Sequence, residues 1–327
     1  MAHQLLRRSA LKPGDVLVTI AGTIGRIGFV GREIKEANCN QAVAFIRCDH
    51  SAFDYEWLCL LLQSPAYQAI FKEFVAGGAI PNISLQQIGS IKIPLISIAV
   101  QRQIAARLRA QLAEVDKARQ ATKTQLRDLN ALAESIVLDS LRRSTTETRP
   151  LGEVLDEVKT GIGESWADFP VLGATRDGLA PAKEPPGKQP WKYKPVFPGT
   201  VFYNPMRILI GSIAYVDEDD TPGITSPDYV ALQGKSGVVD SRWFYFWLRS
   251  RLGQQCINSL ARGAVRERML FNRLAEGHID LPAFAVQRHA SEALQVIKPM
   301  RQAIERTQKE IDFLPPKILA QAFKHSA

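Results

Sequence analysis

The chain has 327 residues, 46% hydrophobic and 23% charged, and carries a net charge of +8. That is enough chain for two domains with their own cores. Those fractions are the ones of a soluble globular protein, and no apolar run approaches the roughly 18 residues with which a helix spans a bilayer.

The predicted elements follow in chain order. Met1 to Arg8 lacks the apolar stretch of a signal peptide, and four irregularly spaced cysteines (39, 48, 59 and 256) suit a reducing cytoplasm. Val16–Ile20, Ile27–Val30 and Ala42–Ile46 are β-branched or aromatic runs between Gly, Asp and Asn turns, and read as strands. Asp54–Phe74 has helical spacing, with Ser64-Pro65 as a break. A loop at Gly77–Asn82 leads to a strand at Ile88–Ile93, closed by Pro94, and then to a long helix over 100–141. The order then repeats: strands at Val201–Tyr203, Ile208–Val216 and Tyr229–Leu232, a helix at Ser241–Leu260, a loop at Arg262–Ala264, a strand at Ile279–Leu281 and a second long helix.

The repetition is visible in the letters. Residues 12–30 read KPGDVLVTIAGTIGRIGFV and 197–216 read FPGTVFYNPMRILIGSIAYV, while Ala99-Val100-Gln101-Arg102 recurs as Ala285-Val286-Gln287-Arg288. Two copies of a module plus a long helix imply a pseudo-two-fold chain and a bipartite target. In the long helices Leu108, Val115, Leu129, Leu132 and Ile136, and Ile297, Met300, Ile304, Ile311, Leu314 and Ile318, follow a heptad rhythm at an offset of 182. These residues are the expected helix–helix interface. An antiparallel pair of such helices, about 60 Å for 100–141, would be a spacer with a module at each end. Pro299 is expected to kink or start the second long helix, and Pro315-Pro316 to disturb its last turns.

Catalytic signatures are lacking. There is no GxxxxGK[ST] loop, no FxGxG, no metal-ligand spacing and no triad context. Asn204-Pro205 only echoes an amino-methyltransferase motif and reads as a strand-end turn; Glu157-Val158-Lys159 reads as part of a strand; Cys48-Asp49-His50 is discarded as a ligand set. A binding role, with no catalytic and no metal residue, is the expectation.

In combination, several segments resemble the DNA-specificity subunit of Type I restriction–modification enzymes. Pro13–Leu17 and Pro198–Phe202 look like its first motif strand, and Thr23–Gly28 and Ile210–Ala214 like the glycine hairpin after it. Ile93-Pro94…Gln101-Arg102 and Leu281-Pro282…Gln287-Arg288 look like the approach to its long helix, and Leu132–Leu141 and Leu314–Phe323 like the helix ends. Leu151–Val154 with Lys159-Thr160-Gly161 looks like the start of a target recognition domain.

The resemblance implies an α+β fold: two globular α/β recognition domains joined and spaced by two long antiparallel coiled-coil helices. The expected boundaries are 1–98 and 144–284 for the domains, and 99–143 and 285–327 for the helices. It implies double-stranded DNA, DNA methyltransferase subunits and an ATP-dependent restriction subunit as partners. S-adenosylmethionine, ATP and Mg would belong to those partners, with no cofactor in this chain. The second module has 48 positions from Pro150 to Pro198 where the first has 12 ahead of Pro13, so about 36 residues of the first recognition domain are expected to be missing.

The DNA-contact candidates come from residue chemistry. The stretch 262–268 places Arg262, Arg266 and Arg268 within seven residues, and arginine can pair with guanine in the major groove. Its uncharged counterpart, Gly77–Ser84, adds Asn82 and Ser84, and the first glycine hairpin adds Thr23 and Arg26. Lys183, Lys188 and Lys192, beside Trp191 and Tyr193, form a second group, with Arg207 and Ser212 around the second hairpin. The divergent charge of the two loops implies two different half-sites. Two alternatives stay open: a coiled-coil scaffold without DNA specificity, and a specificity subunit of a Type IIG or IIB-like system.

Overall fold

The computed structural model describes residues 9–75, 82–261 and 268–324. The chain divides into two compact units, one of Met1–Thr124 with Glu305–Ala327 and one of Gln125–Ile304. Both are α+β.

The first unit starts with a Pro-Gly turn. The Asp15 N–H donates to the Lys12 carbonyl at 3.0 Å and Gly14 adopts φ +87°, which is the glycine position of a turn opened by proline. The turn launches β1 (Val16–Thr19), the centre of an antiparallel sheet between β2 (Ile27–Phe29) and β3 (Val43–Ile46). Val16 and Val18 face the core while Leu17 and Thr19 are half-buried, the period-2 pattern of a strand with one covered face. Asp54 caps α1 (Tyr55–Gln63) by accepting the Trp57 N–H at 3.0 Å, and Ser64-Pro65 ends it and begins α2 (Pro65–Val75). Trp57, Leu61, Tyr67 and Phe71 are fully buried in the core of this unit.

The predicted strand at Ile88–Ile93 is not formed. Ser84 and Gln87 close a capping box, so the chain turns into a short helix, α3 (Leu85–Gly89), and 90–97 runs on without strand pairing. The local hydrogen bonds outcompete the β preference of the isoleucines. Next comes α4 (Ile98–Arg142), 45 residues or about 67 Å of helix.

The second unit holds β4 (Glu147–Pro150), α5 (Leu151–Val154), β5 (Leu155–Glu157), β6 (Leu172–Thr175), β7 (Gly178–Pro181), β8 (Lys194–Val196), β9 (Val201–Tyr203), β10 (Ile213–Tyr215), β11 (Gly223–Thr225) and β12 (Val230–Gly234). These are followed by α6 (Ser241–Arg249), α7 (Arg251–Leu260), α8 (Phe271–Leu274) and β13 (His278–Leu281). Its main sheet runs β10-β9-β12-β5, all antiparallel. The expected strand from Ile208 starts only at Ile213, because 208–210 form a 3-10 turn closed by Gly211 at φ +83°.

The repeat is one of structure. Strand order β2-β1-β3 recurs as β10-β9-β12, and an offset of 186 relates Gly25 to Gly211, Asp54 to Asp240, Trp57 to Trp243, Ser64 to Ser250 and Gln101 to Gln287. Each glutamine is buried at the start of its long helix and makes the same bonds. Gln101 accepts the Asp54 N–H and donates to the Ala52 and Ile96 carbonyls. Gln287 accepts the Asp240 N–H and donates to the Val238 and Pro282 carbonyls.

The second long helix is three segments, α9 (Phe284–Gln295), α10 (Ile297–Asp312) and α11 (Leu314–Ala322). Pro299 falls in the first turn of α10, and Pro315 and Pro316 in the first turn of α11, where proline lacks no partner. In the first unit α4 and α10 run antiparallel: Arg119 pairs with Asp312 at 2.8 Å, and the Thr122 hydroxyl donates to Gln308 Oε1 at 2.6 Å. In the second unit Arg301 donates to the Asn130 side chain.

The seam differs from the expected one. Leu108, Val115, Leu129, Ile297 and Ile311 are buried, and Ile136, Ile304 and Ile318 half-buried. Leu132, Met300 and Leu314 are 47%, 48% and 40% exposed and lie outside it. The second stripe falls one residue later, at Leu112, Arg119, Leu126 and Ala133 on α4 and at Leu294, Arg301, Gln308 and Pro315 on the other helix, all buried or half-buried. The offsets 182 and 186 differ by four residues, close to one helical turn. The observed stripes keep the 182 offset, with Leu112 matching Leu294, Arg119 matching Arg301, Leu126 matching Gln308 and Ala133 matching Pro315, so the first stripe stands and the second falls one residue late on both helices.

Candidate nucleic-acid interface

In each unit the glycine hairpin and a later segment, at 82–83 in the first unit and 268–269 in the second, form one frame. In the first unit the hairpin covers 20–26: the Thr19 hydroxyl donates to the Thr23 carbonyl and accepts the Arg26 N–H at 2.9 Å, and Gly25 sits at φ +82°. The later segment bridges Asn82 to Ala21, and the Ile83 N–H donates to the Ile20 carbonyl at 2.9 Å. In the second unit the hairpin covers 204–212, and the Met269 N–H donates to the Pro205 carbonyl at 3.1 Å. Ile83 and Met269 are both buried and anchor the two later segments.

The hairpins are braced from below by equivalent groups. Gln63 Nε2 donates to the Ile27 carbonyl at 3.2 Å. Its counterpart Arg249 donates to the Ile213 carbonyl at 3.0 Å and to the Arg176 carbonyl at 2.6 Å, with its guanidinium over the Tyr245 ring. The second brace thus ties in the β6–β7 turn, and Arg176 Nε donates to the Ile210 carbonyl at 3.2 Å.

This frame gathers Thr23, Arg26 and Asn82 in the first unit, all exposed, and Arg207 and Arg268 in the second, also exposed. Arg268 pairs with Asp228 at 3.2 Å. Ser84 is exposed, but its hydroxyl is occupied by the cap of α3. Ser212 is 4% exposed and donates to the Ala174 carbonyl at 2.7 Å, so it holds the hairpin to β6 and presents nothing to solvent. Arg262 and Arg266 lie outside the described residues.

Lys183, Lys188 and Lys192 are exposed on the strap between β7 and β8, which leaves β7 at the end opposite the Arg176 turn. They form a second basic group, carried on this strap. Lys194, next along the strap, is half-buried. Burial holds its ammonium below the ordinary lysine value, and Nζ donates to the Tyr229 carbonyl at 2.7 Å.

Sequence reading missed Arg176 and the apolar hairpin tip, where Met206, Leu209 and Ile210 are 48%, 42% and 55% exposed. The signal was available: two large aliphatic residues immediately before a glycine turn cannot both point inward.

No group of three or more His, Cys, Asp or Glu among the described residues has the arrangement of a metal site. Burial pushes the Cys59 thiol up to about 12 and raises Cys48 and Cys256, so these thiols are held protonated. Asn204 Oδ1 accepts the Met206 N–H at 2.9 Å and so closes the end of β9 as a turn. The cavity of about 730 Å³ in the first unit is walled by the Arg109–Glu56 and Arg102–Asp54 pairs and does not include the hairpin frame. No described helix is long and apolar enough to cross a membrane.

Residues 9–126 match the family model described as the Type I restriction modification DNA specificity domain. The chain is 31% identical over 140 residues to the Type I restriction enzyme EcoBI specificity subunit of Escherichia coli. That stretch is 43% of this chain and 29% of the curated relative, so it spans under a third of that protein's length. A solved chain described as "Structural basis underlying complex assembly and conformational transition of the type I R-M system" superposes with a TM-score of 0.67 at 19% identity. It covers 96% of this chain and 82% of its own, a likeness of fold. The HsdS subunit from Thermoanaerobacter tengcongensis gives a TM-score of 0.49 at 19% identity, over 97% of this chain and 82% of that one.

Proposed function

We propose that this chain, carrying a Type I specificity domain in residues 9–126, is the DNA-specificity subunit of a Type I restriction–modification system. The observation that carries the reading is the repeated hairpin frame. One backbone frame, with glycines at φ +82° and +83° and equivalent braces, displays Thr23, Arg26 and Asn82 in one unit and Arg176, Arg207 and Arg268 in the other. Phosphate contacts set register, and side chains at base edges carry sequence information. Two copies of a frame with different side chains are what reading two different half-sites requires.

In this reading the chain does no chemistry. It delivers a bipartite duplex site to methyltransferase subunits and an ATP-dependent restriction subunit in the cytoplasm, and any S-adenosylmethionine, ATP or Mg is theirs. The test is selection of duplexes from a randomised pool by the full chain with its methyltransferase partner. Enrichment of two short motifs separated by a fixed gap supports the reading. Binding that depends on salt alone, with no enriched sequence, is nonspecific polyanion binding and overturns it.

A further inference from the structure

The hairpin tip of the second unit is built to hold aliphatic side chains out. Ile208 is buried in the unit's core and anchors the turn, while Met206, Leu209 and Ile210 stand exposed around it. The backbone beneath them is fixed: the Arg207 N–H donates to the Asn204 carbonyl at 2.9 Å, the Gly211 N–H to the Ile208 carbonyl at 2.9 Å, and the Ser212 N–H to the Arg207 carbonyl at 3.1 Å. Arg249 and Arg176 add bonds to the carbonyls of Ile213 and Ile210. Adjacent exposed apolar side chains on a braced turn mark a contact surface.

The cations identify the occupant. Arg176 and Arg207 are exposed beside the tip and Arg268 lies beyond it, against the carboxylates Asp177 and Asp228, of which Asp228 is already paired with Arg268. Leu, Ile and Met framed by arginine is the chemistry of proteins that wedge an aliphatic side chain against a base step from the minor groove, unstacking and bending the duplex. The equivalent tip of the first unit, Gly22-Thr23-Ile24, has no such side chains: Ile24 is half-buried in the core.

Resting on the DNA-binding reading, we propose that Leu209 and Ile210 press into the minor groove at the half-site held by the second unit, unstacking one base step and bending the duplex there. Part of the specificity at that half-site is then the deformability of the step.

The test uses the full chain, a duplex that it selects from a randomised pool, end-label energy transfer to read bending, and 2-aminopurine scanned through both half-sites to read unstacking. The wild type is expected to bend the duplex and to raise 2-aminopurine fluorescence at one step of one half-site. L209N/I210N is expected to lose both signals and about tenfold in affinity, with an unchanged salt slope and an unchanged melting temperature. R207A is expected to weaken binding and relax sequence preference at that half-site while the bend remains. Wild-type binding to an unbent, fully stacked duplex, or wild-type affinity and bending in L209N/I210N, overturns the wedge and leaves the DNA reading standing. A change in mass by light scattering in L209N/I210N with unaltered DNA binding also overturns it, in favour of contact between copies. If the wild type selects no sequence, both the wedge and the reading beneath it fall.

Discussion

The buried carboxamide of Gln287 accepts the backbone N–H of Asp240 at 3.0 Å, while Asp240 itself caps α6 through the Trp243 N–H at 2.9 Å. The start of the long helix is thereby fixed to the start of the helix beneath the sheet. Gln101 and Asp54 repeat the arrangement 186 residues earlier. Gln287→Leu removes three hydrogen bonds and leaves buried backbone groups unpaired. The expected loss is about 2–3 kcal/mol of stability, read by chemical denaturation, with Gln101→Leu losing a similar amount. A loss below about 0.5 kcal/mol in both variants would show that water replaces the carboxamides.

The helix seam makes a prediction in which two leucines three residues apart on one helix behave differently. Leu129 is 4% exposed and Leu132 is 47% exposed; Ile297 is 2% exposed and Met300 is 48%. Leu129→Ala and Ile297→Ala should each destabilise by roughly 2–4 kcal/mol. Leu132→Ala and Met300→Ala should stay within about 0.5–1 kcal/mol. Equal losses at 129 and 132 would restore the seam expected from the heptad reading.

That slip shows what was legible in the letters and what was not. The two modules, the long helices, the capped turn at Ser64-Pro65 and the proline positions could be read because periodicity and backbone chemistry are local. The phase of the second stripe could not, since both 3-4 and 4-3 alternations fit a heptad and apolar residues stand at either phase, as Leu132 and Ala133 do. The strand expected at Ile88–Ile93 failed for a local reason in plain view, the Ser84…Gln87 capping box. In the candidate site, Thr23, Arg26, Asn82, Arg207 and Arg268 fell within the frame, whereas Ser212 turned inward, because which side of a hairpin faces the core depends on contacts with Ala174, far along the chain.

The Asp15–Arg47 pair makes the first unit sensitive to acid. Asp15 is 1% exposed; burial raises its carboxyl, but two hydrogen bonds from Arg47 at 2.6 and 2.8 Å and one from the Lys12 N–H at 2.7 Å override that and hold it below the ordinary value. A depressed carboxylate contributes stability above the unfolded value of about 3.9 and loses it as pH falls through the folded value. The pair's contribution should therefore be constant at neutral pH, begin to fall near pH 4 and be lost only as the pH drops through the lower folded value. The second unit has a neutral pair at the equivalent positions, where Gln233 donates to the Thr200 hydroxyl at 3.1 Å. Arg47→Gln should cost about 2 kcal/mol at pH 7 and less at pH 3, and adding Asp15→Thr should recover part of it and remove the acid dependence. Denaturation curves at both pH values decide this. A cost for Arg47→Gln that does not change with pH would refute the carboxylate account.

The left-handed glycines shape both frames. Gly25 and Gly211 lie at φ +82° and +83°, where a side chain costs roughly 1–2 kcal/mol. Gly211→Ala should weaken binding at one half-site more than it lowers stability, because Arg207 and the tip are displaced together. Affinity titrations on duplexes altered in one half-site at a time, alongside thermal melts, separate the two effects.

The central claim is that equivalent frames read different half-sites, and its most direct measurement is selection from a randomised duplex pool by wild type, T23A/N82A and R207A/R268A. We predict that the wild type enriches two motifs across a fixed gap, that T23A/N82A relaxes one motif only, and that R207A/R268A relaxes the other only. Loss of both motifs together in either variant, or motifs unchanged in both, would contradict it.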